Sequence, residues 1–274
     1  MYEFRNLENV SFEDLANAHN LAFSDYIVPR YLTPEEIEAY FRVSGVDYSK
    51  SFGALYENKL IGMLVNSVDT FRGKTVAYDA MTGIAKEHRG KGIFSELFEY
   101  TKTILKSNNI NHYYLEVITT NERAYTIYKN KGGKVHRELS YMTGRMNSKF
   151  FKDGEVKVLP LKIFPERELS NYEPSFGNRI TSLHRNVDDY QVAHIEAEDR
   201  IVAIVFNKEG GIPQIKFSGS DDIDLLYKAF TYLSRNFENL RISNIPVTET
   251  KLIKELLSIG FEILVNQYEM CIEF

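Results

Sequence analysis

The central part of the chain alternates between the apolar spacing of strands and that of helices. Residues 76–84 form an apolar run typical of a strand, and residues 93–106 repeat apolar positions with the spacing of a helix. Residues 113–118 are a second strand-like run, too rich in Tyr, Val and Ile for a surface loop. Asn121 then begins another helix as its N-cap, and Gly132 ends it. This order predicts an α/β unit with a mixed sheet.

Two helices and a strand meander precede this unit. Residues 11–23 and 33–41 each carry a helical stripe preceded by a Ser or Thr that can cap the helix. Residues 51–84 predict three antiparallel strands joined by short turns. Beyond the unit, residues 134–139 and 140–146 predict two further short strands.

The second half of the chain repeats this order in weaker form. Its pattern predicts strands within residues 190–219, a helix over 223–236, a strand over 240–246 and a helix over 250–261. Residues 147–175 contain three prolines and many charges, which indicates a strand followed by a linker. We therefore expect two domains, residues 1–150 and 151–274, of which the second is a degenerate copy of the first.

Composition favours an ordinary soluble protein with a well-filled core. Of the 274 residues, 43% are hydrophobic and 26% are charged, which excludes the disordered class. The net charge of −5 gives no footprint for nucleic acid. The acidic N-terminus does not resemble a signal peptide, and no apolar run approaches membrane-spanning length, so we expect a cytoplasmic protein with no membrane partner. Cys271 is the single cysteine, and no Cys/His cluster has metal-ligand spacing, so we expect neither a disulfide nor a metal.

The charge is unevenly distributed between the two expected domains. Residues 1–150 contain 19 basic and 18 acidic residues, whereas residues 151–274 contain 14 basic and 20 acidic ones. The first domain is therefore the better partner for a polyanionic cofactor.

A basic turn with two glycines lies between the strand and the helix of the central unit. Backbone N–H groups at the start of a helix have no intrahelical partner, and they can hold phosphate oxygens if the chain approaches closely. Gly90 and Gly92 permit that approach, and Arg89 and Lys91 add positive charge. Such a turn alone is weak evidence, since both charges could simply be solvated.

Two polar groups stand out in the segment after this turn. Glu116 interrupts an apolar strand, where burial should push the pKa of its carboxyl upward. On the following helix, Asn121, Ala124 and Tyr128 are spaced by three and four residues and therefore share one face.

Together these residues resemble the core of the GNAT superfamily of N-acetyltransferases. The family pattern is R-x-x-G-x-G/A, then L-E-V, then N-x-x-A-x-x-x-Y-x-x-x-G, and this sequence matches it at Arg89, Gly92, Leu115, Glu116, Val117, Asn121, Ala124, Tyr128 and Gly132. Phe94 departs from the pattern, because the family usually has Gly or Ala there. The resemblance implies a GNAT fold, duplicated in this chain, with acetyl-CoA as cosubstrate. The residues that it implies for cofactor binding are Thr82, Gly83, Ile84, Arg89, Gly90, Lys91, Gly92, Ile93, Phe94, Ser95 and Asn121.

The resemblance also implies the catalytic groups. Tyr128 would donate a proton to the departing thiolate of coenzyme A. Without the resemblance, a tyrosine on an amphipathic helix would more often be a core aromatic. The same spacing from L-E-V to Tyr occurs in the ribosomal-protein N-terminal alanine acetyltransferases, where the Glu acts as base, so Glu116 is the candidate base. The alternative is that Glu116 accepts hydrogen bonds between sheet and helix. Asp79 is the reserve candidate, and Tyr78 and Tyr114 are expected wall residues.

The second half should lack cofactor binding. If Gly260 is aligned with Gly132, Leu256 occupies the place of Tyr128, and Glu249 that of Asn121. Three acidic residues replace the glycine turn and would repel a pyrophosphate: Asp221, Asp222 and Asp224.

The expected function is direct transfer of an acetyl group to a primary amine, on either a small molecule or a peptide. The alternatives are a non-catalytic acyl-CoA-binding or regulatory module, and transfer of a longer acyl chain. The identity of the acceptor and the oligomeric state remain open at this point.

Overall fold

The structure is a computed structural model that describes residues 1–25, 31–165, 170–217 and 222–274. Contacts between residues divide the chain into two compact units that are interleaved along the sequence. The first comprises Met1–Leu115, Tyr128–Lys134 and Cys271–Phe274, and the second comprises Glu116–Ile127 and Val135–Met270. Residue 150 falls inside the second unit, and the division into domains 1–150 and 151–274 stays a prediction.

The first unit is built on a mixed sheet in the order β1-β2-β3-β4-β5. The strands are β1 (Tyr2–Asn6), β2 (Phe52–Tyr56), β3 (Lys59–Phe71), β4 (Lys74–Ile84) and β5 (His112–Ile118), whose last residues belong to the second unit. The first four strands pair antiparallel, and β4 pairs with β5 in parallel. The predicted meander and mixed sheet are confirmed, while β1 was not predicted.

Three helices accompany these strands: α1 (Phe12–Phe23), α2 (Pro34–Ser44) and α3 (Ile93–Ser107), while α4 (Glu122–Asn130) begins in the second unit and ends in the first. The predicted caps of the first two are present. Ser11 accepts a hydrogen bond from the Asp14 N–H group, and Thr33 forms a reciprocal capping box with Glu36. These bonds satisfy donors that a helix start otherwise leaves without partners.

The apolar faces of α1 and α2 pack with β3 to form the core of the first unit. Leu15 of α1, Ile37 and Phe41 of α2, and Met63 and Val65 of β3 are buried in one cluster. Full burial of each such side chain contributes about 1.5–3 kcal/mol.

The second unit contains two sheets, in the orders β13-β6-β12-β10 and β11-β9-β8-β7. Its strands are β6 (Lys134–Gly144), β7 (Lys157–Pro160), β8 (Tyr190–Ala197), β9 (Arg200–Asn207), β10 (Gly211–Ile212), β11 (Gln214–Lys216), β12 (Leu240–Pro246) and β13 (Phe261–Glu273). Its helices are α5 (Ile180–Leu183), α6 (Ile223–Asn236) and α7 (Thr250–Ile259). The apolar faces of α6 and α7 lie in one buried cluster with β12.

The prediction of two short strands over residues 134–139 and 140–146 was wrong. Leu139 pairs with Pro246 and Ser140 pairs with Ile245, so β6 continues through this point without a break. At this point the hydroxyl of Ser140 donates to the side chain of Asn266 at 2.9 Å. A satisfied hydroxyl can remain within a buried strand.

The helix ends of the two halves agree with the predicted alignment of Gly260 with Gly132. Gly132 follows α4 with φ of 90°, and Gly260 follows α7 with φ of 119°. Leu256, aligned with Tyr128, is buried in the apolar cluster of α6 and α7. At the start of α6, Asp224 pairs with Lys152 and Lys228, and Asp221 lies outside the described residues.

Candidate active site

The glycine turn leads directly into α3. Gly90 and Gly92 adopt left-handed backbone conformations, with φ of 76° and 80°, which other residues rarely adopt. No side chain among the described residues caps α3, so the first N–H groups of the helix, from Ile93 to Ser95, have no partner of that kind. Backbone of this shape can accept an anion, and anion binding at the turn stays a prediction.

Arg89 is fixed by the protein itself. Its Nε–H group donates to the Ile84 carbonyl at 2.8 Å, and one terminal nitrogen donates to the Ala22 carbonyl at 2.6 Å. Both terminal nitrogens also contact the Asp25 carboxylate, at 2.9 and 3.0 Å. These bonds hold the pKa of Asp25 below its ordinary value. The guanidinium thus ties the turn to the end of α1, and contact with a phosphate stays a prediction for Arg89, as it does for the exposed Lys91.

A bulge interrupts β4 beside the turn. Asn66 of β3 pairs with Asp79, but the preceding Val65 pairs with Met81, so Ala80 is the extra residue. The phenol of Tyr40 donates to the Ala80 carbonyl at 2.8 Å. The bulge changes the direction in which neighbouring side chains point, and Asp79 is one of them.

The ladder between β4 and β5 is short in the described structure. It joins Ala77 to Tyr113 and Tyr78 to Tyr114, and it does not extend to the last residues of β4. Thr82, Gly83 and Ile84 pair with β3 on one side, so their remaining backbone groups face the side where β5 pairing has ended. This is the edge expected to meet the amides of the cosubstrate.

Gly83 has a packing role that the sequence did not reveal. A Cβ atom at this position would lie 2.8 Å from Cβ of Ala22 and 2.9 Å from the ring of Phe23. The end of α1 can approach β4 this closely because Gly83 has no side chain.

Tyr128 and Asp79 form a hydrogen-bonded pair. The Tyr128 phenol donates to Oδ2 of Asp79 at 2.8 Å, and the Thr82 hydroxyl donates to Oδ1 at 2.7 Å. Burial raises the pKa of the Asp79 carboxyl above its ordinary value, although both hydrogen bonds oppose the shift. Asp79, the reserve candidate for the base, thus contacts the phenol of Tyr128 directly, although 49 residues of sequence separate the two.

The departure at Phe94 is explained by its contact with Tyr128. The two rings meet edge to face, with centroids 5.6 Å apart and planes at 88°. Phe98 stacks on the ring of Phe94, with the two centroids 5.8 Å apart. Aromatic pairs of this geometry contribute about 0.5–1.5 kcal/mol beyond burial, so Phe94 helps to fix the Tyr128 ring.

Glu116 belongs to the second unit, where it meets a residue from the second half of the chain. Its Oε2 atom accepts a hydrogen bond from Nδ2 of Asn244 at 2.7 Å. Asn244 also contacts Ser175 and Gln267. Sequence reasoning missed these partners, although an Asn within the apolar strand β12 is a signal of the kind that could have found Asn244.

Asn121 acts as the predicted helix cap. Its Oδ1 atom accepts a hydrogen bond from the Ala124 N–H group at 3.1 Å at the start of α4. Contact with the cofactor stays a prediction for this residue.

Among the described residues, no group of three His, Cys, Asp or Glu side chains is arranged to hold a metal ion. In the same part of the chain, no helix combines the length and the apolar character needed to cross a membrane.

The fold is that of the GCN5-related N-acetyltransferases. An enzyme of this class from Sphaerobacter thermophilus superimposes with a TM-score of 0.70 at 12% identity, covering 99% of this chain and 95% of its own. Residues 12–132 match the Acetyltransferase (GNAT) family, in agreement with the resemblance found in the sequence.

Two relatives each match about a third of the chain. N-alpha-acetyltransferase 30 of Schizosaccharomyces pombe is 35% identical over 83 residues, which cover 30% of this chain and 55% of the relative. N-alpha-acetyltransferase 60 of Xenopus tropicalis is 33% identical over 110 residues, covering 33% of this chain and 46% of the relative. The chain thus spans about half the length of the relatives that it matches.

Proposed function

We propose that this protein is an acetyltransferase that moves the acetyl group of acetyl-CoA directly to a primary amine, with the α-amine of a peptide as the first acceptor to test. The observation that carries the proposal is the edge of β4 from Thr82 to Ile84, which continues, after two left-handed glycines, into a helix start that no side chain of the described residues caps. Strand amides beside a phosphate-binding turn suit an acyl-CoA. The peptide acceptor is suggested by the names of the two relatives.

In this proposal Tyr128 is the general acid. Its phenol would give a proton to the departing thiolate, which is otherwise a poor leaving group. Ionised Asp79 would hold the phenol hydrogen for itself, whereas protonated Asp79 would donate to the phenol oxygen and release that hydrogen toward the sulfur. The raised pKa of Asp79 favours the second arrangement.

Glu116 is the proposed base. Its carboxylate would take a proton from the incoming ammonium, directly or through a water molecule. The division of labour needs one group that starts protonated and one that starts ionised. In this proposal Tyr128 starts protonated and Glu116 starts ionised.

Phosphate contacts are assigned mainly to backbone in this proposal. The N–H groups of Gly92, Ile93, Phe94 and Ser95 would bind the pyrophosphate, with Gly90 shaping the turn. Lys91 would add a charge from solvent, and Arg89 would act by holding the turn to α1. Asn121 would both cap α4 and face the cofactor.

The proposal is tested with an equimolar mixture of short peptides that covers all free N-terminal residues. The protein is incubated with acetyl-CoA and this mixture, and the products are sequenced by mass spectrometry. We expect acetylation on α-amines of a subset of the peptides. Acetylation confined to lysine side chains or to added polyamines would show that the acceptor is not a peptide α-amine. Binding of acetyl-CoA without any transfer would favour the non-catalytic module. A parallel assay with longer acyl-CoAs tests the remaining alternative.

A further inference from the structure

Asn244 occupies a strained position in the second half of the chain. The pairing of β12 with β6 shifts register between Ile242 and Ile245, so Asn244 lies in a bulge. Its φ of 60° places it in the left-handed region, and only 9% of the residue is exposed. Asn is among the few non-glycine residues that tolerate this conformation, which persists where the surroundings enforce it.

The side-chain amide of Asn244 is engaged at both of its ends. Its Nδ2 atom donates to Oε2 of Glu116 at 2.7 Å and to Oγ of Ser175 at 2.9 Å. Its Oδ1 atom accepts from Nε2 of Gln267 at 2.9 Å. The donors and the acceptor each meet a matching group, and this fixes the orientation of the amide.

The segment that carries Ser175 is itself held by a buried ion pair. Arg137 donates to the carbonyls of Glu173 and Pro174, the two residues before Ser175. The same guanidinium donates to Oε2 of Glu269 at 2.7 Å, and Glu269 is only 1% exposed. A charge-assisted pair of this kind holds its neighbours in one geometry.

We propose that Asn244 is a positioning residue for Glu116, supplied by the second half of the chain. The inference rests on the proposed function, in which Glu116 is the base. The N–H group of Asn244 orients one carboxylate oxygen and favours the ionised form that a base requires. The second half has lost its glycine turn and the counterpart of Tyr128, and its retained role would be to complete the proton machinery of the first.

The test is a double-mutant cycle with Asn244→Asp and Glu116→Gln, assayed with acetyl-CoA and the peptide mixture. An Asp side chain has nearly the same size, tolerates the left-handed backbone and can still accept hydrogen bonds from Gln267 and Ser175. It cannot donate to Glu116, and it places a second carboxylate against the first. We expect kcat to fall about ten- to a hundredfold with an unchanged KM for acetyl-CoA. In the Glu116→Gln background, the same substitution should change kcat by no more than about twofold.

The control is Ser243→Ala, in the same bulge. The Ser243 hydroxyl contacts Asn178 and the Ile212 carbonyl instead of Glu116, so kcat should remain within about twofold of wild type. If Asn244→Asp does not fold, Asn244→Gly removes the donor and relieves the backbone strain.

The outcomes separate the two proposals. Equal losses from Asn244→Asp in both backgrounds would assign Asn244 a structural role only and overturn this inference. Wild-type kcat in Asn244→Asp, beside an impaired Glu116→Gln, would overturn it as well and leave the base intact. Wild-type kcat in Glu116→Gln would refute the assignment of Glu116 as the base, and with it the positioning role of Asn244.

Discussion

Among single residues, a phenol and two carboxylates carry the proposed chemistry. Tyr128 donates to Asp79 at 2.8 Å, and Asn244 donates to Glu116 at 2.7 Å. Each expected catalytic group is thus held by a side chain distant in sequence. Two carboxyl groups in different surroundings can carry different protons at one pH, which is the condition for acid and base chemistry in the same protein.

The raised pKa of Asp79 predicts how stability depends on pH. An acid whose pKa is raised by folding contributes stability below its unfolded pKa and loses it as pH rises through the folded value. Asp79→Asn removes this loss. The melting temperature of the variant should therefore rise relative to that of wild type as pH increases above the ordinary carboxyl range. Thermal melts from pH 4 to pH 8 measure this difference.

Asp25 offers a control of opposite sign. Its pKa is lowered by Arg89, so its stabilising contribution is present above the unfolded pKa and lost as pH falls through the folded one. The melting temperature of Asp25→Asn should therefore fall relative to that of wild type as pH rises. A pH-independent difference for Asp79→Asn would contradict the burial of an acid at this site.

Among the elements, the segment from β4 to α3 carries the proposed cofactor site. The bulge at Ala80, the short ladder to β5 and the left-handed glycines all occur within one strand and one turn. The strand amides and the helix N–H groups follow one another along the chain, as an extended ligand with a phosphate end would require.

Gly92→Glu is predicted to abolish this site while leaving the fold in place. A carboxylate at the start of α3 would repel the pyrophosphate, so affinity for acetyl-CoA should fall about a hundredfold or more. Gly73→Glu is the matched control, because Gly73 has φ of 72° and lies in the hairpin at the opposite end of β4. Both variants should lose about 1–2 kcal/mol from the left-handed backbone. Calorimetry that finds equal affinities in the two folded variants would refute the assignment.

The sequence predicted most elements because local patterns are sufficient for them. The predicted helix over 223–236 and strand over 240–246 coincide with α6 and β12. The caps at Ser11 and Thr33 follow from the side chains themselves. By contrast, β1 at the N-terminus owes its place to pairing with a partner strand about 50 residues away, which no short window shows.

The candidate site was predictable only in part. The glycine turn, Glu116, Asn121 and Tyr128 lie within one motif, and their spacing was enough to single them out. The bond between Tyr128 and Asp79 depends on the bulge at Ala80, and the bond between Glu116 and Asn244 depends on a second bulge in β12. Bulges shift side chains by one register position, and periodicity does not predict where they occur.

Over the whole chain, the second half resembles the first in the order of its elements and differs from it in chemistry. α7 ends in a left-handed glycine as α4 does, but Leu256 packs in an apolar cluster where Tyr128 carries a phenol. At the start of α6, the carboxylate of Asp224 is paired with two lysines, which hold its pKa below the ordinary value. A negative charge at a helix start disfavours a phosphate there.

We therefore predict one acetyl-CoA site per chain. Isothermal titration of the full chain with acetyl-CoA should give a stoichiometry close to one. Gly92→Glu should remove the whole signal, because the single proposed site lies in the first half. A stoichiometry close to two, or a signal that survives in Gly92→Glu, would show that the second half also binds the cosubstrate.

Tyr128 is proposed to supply the proton to the departing thiolate. The most direct measurement is the steady-state turnover of Tyr128→Phe with acetyl-CoA and a reactive peptide, beside the affinity of the same variant for acetyl-CoA. Phe removes one oxygen and preserves the edge contact with Phe94, so the fold and the affinity should persist. We predict that kcat falls about a hundredfold or more. Wild-type kcat in a folded Tyr128→Phe protein would contradict the account and return Tyr128 to the role of a core aromatic.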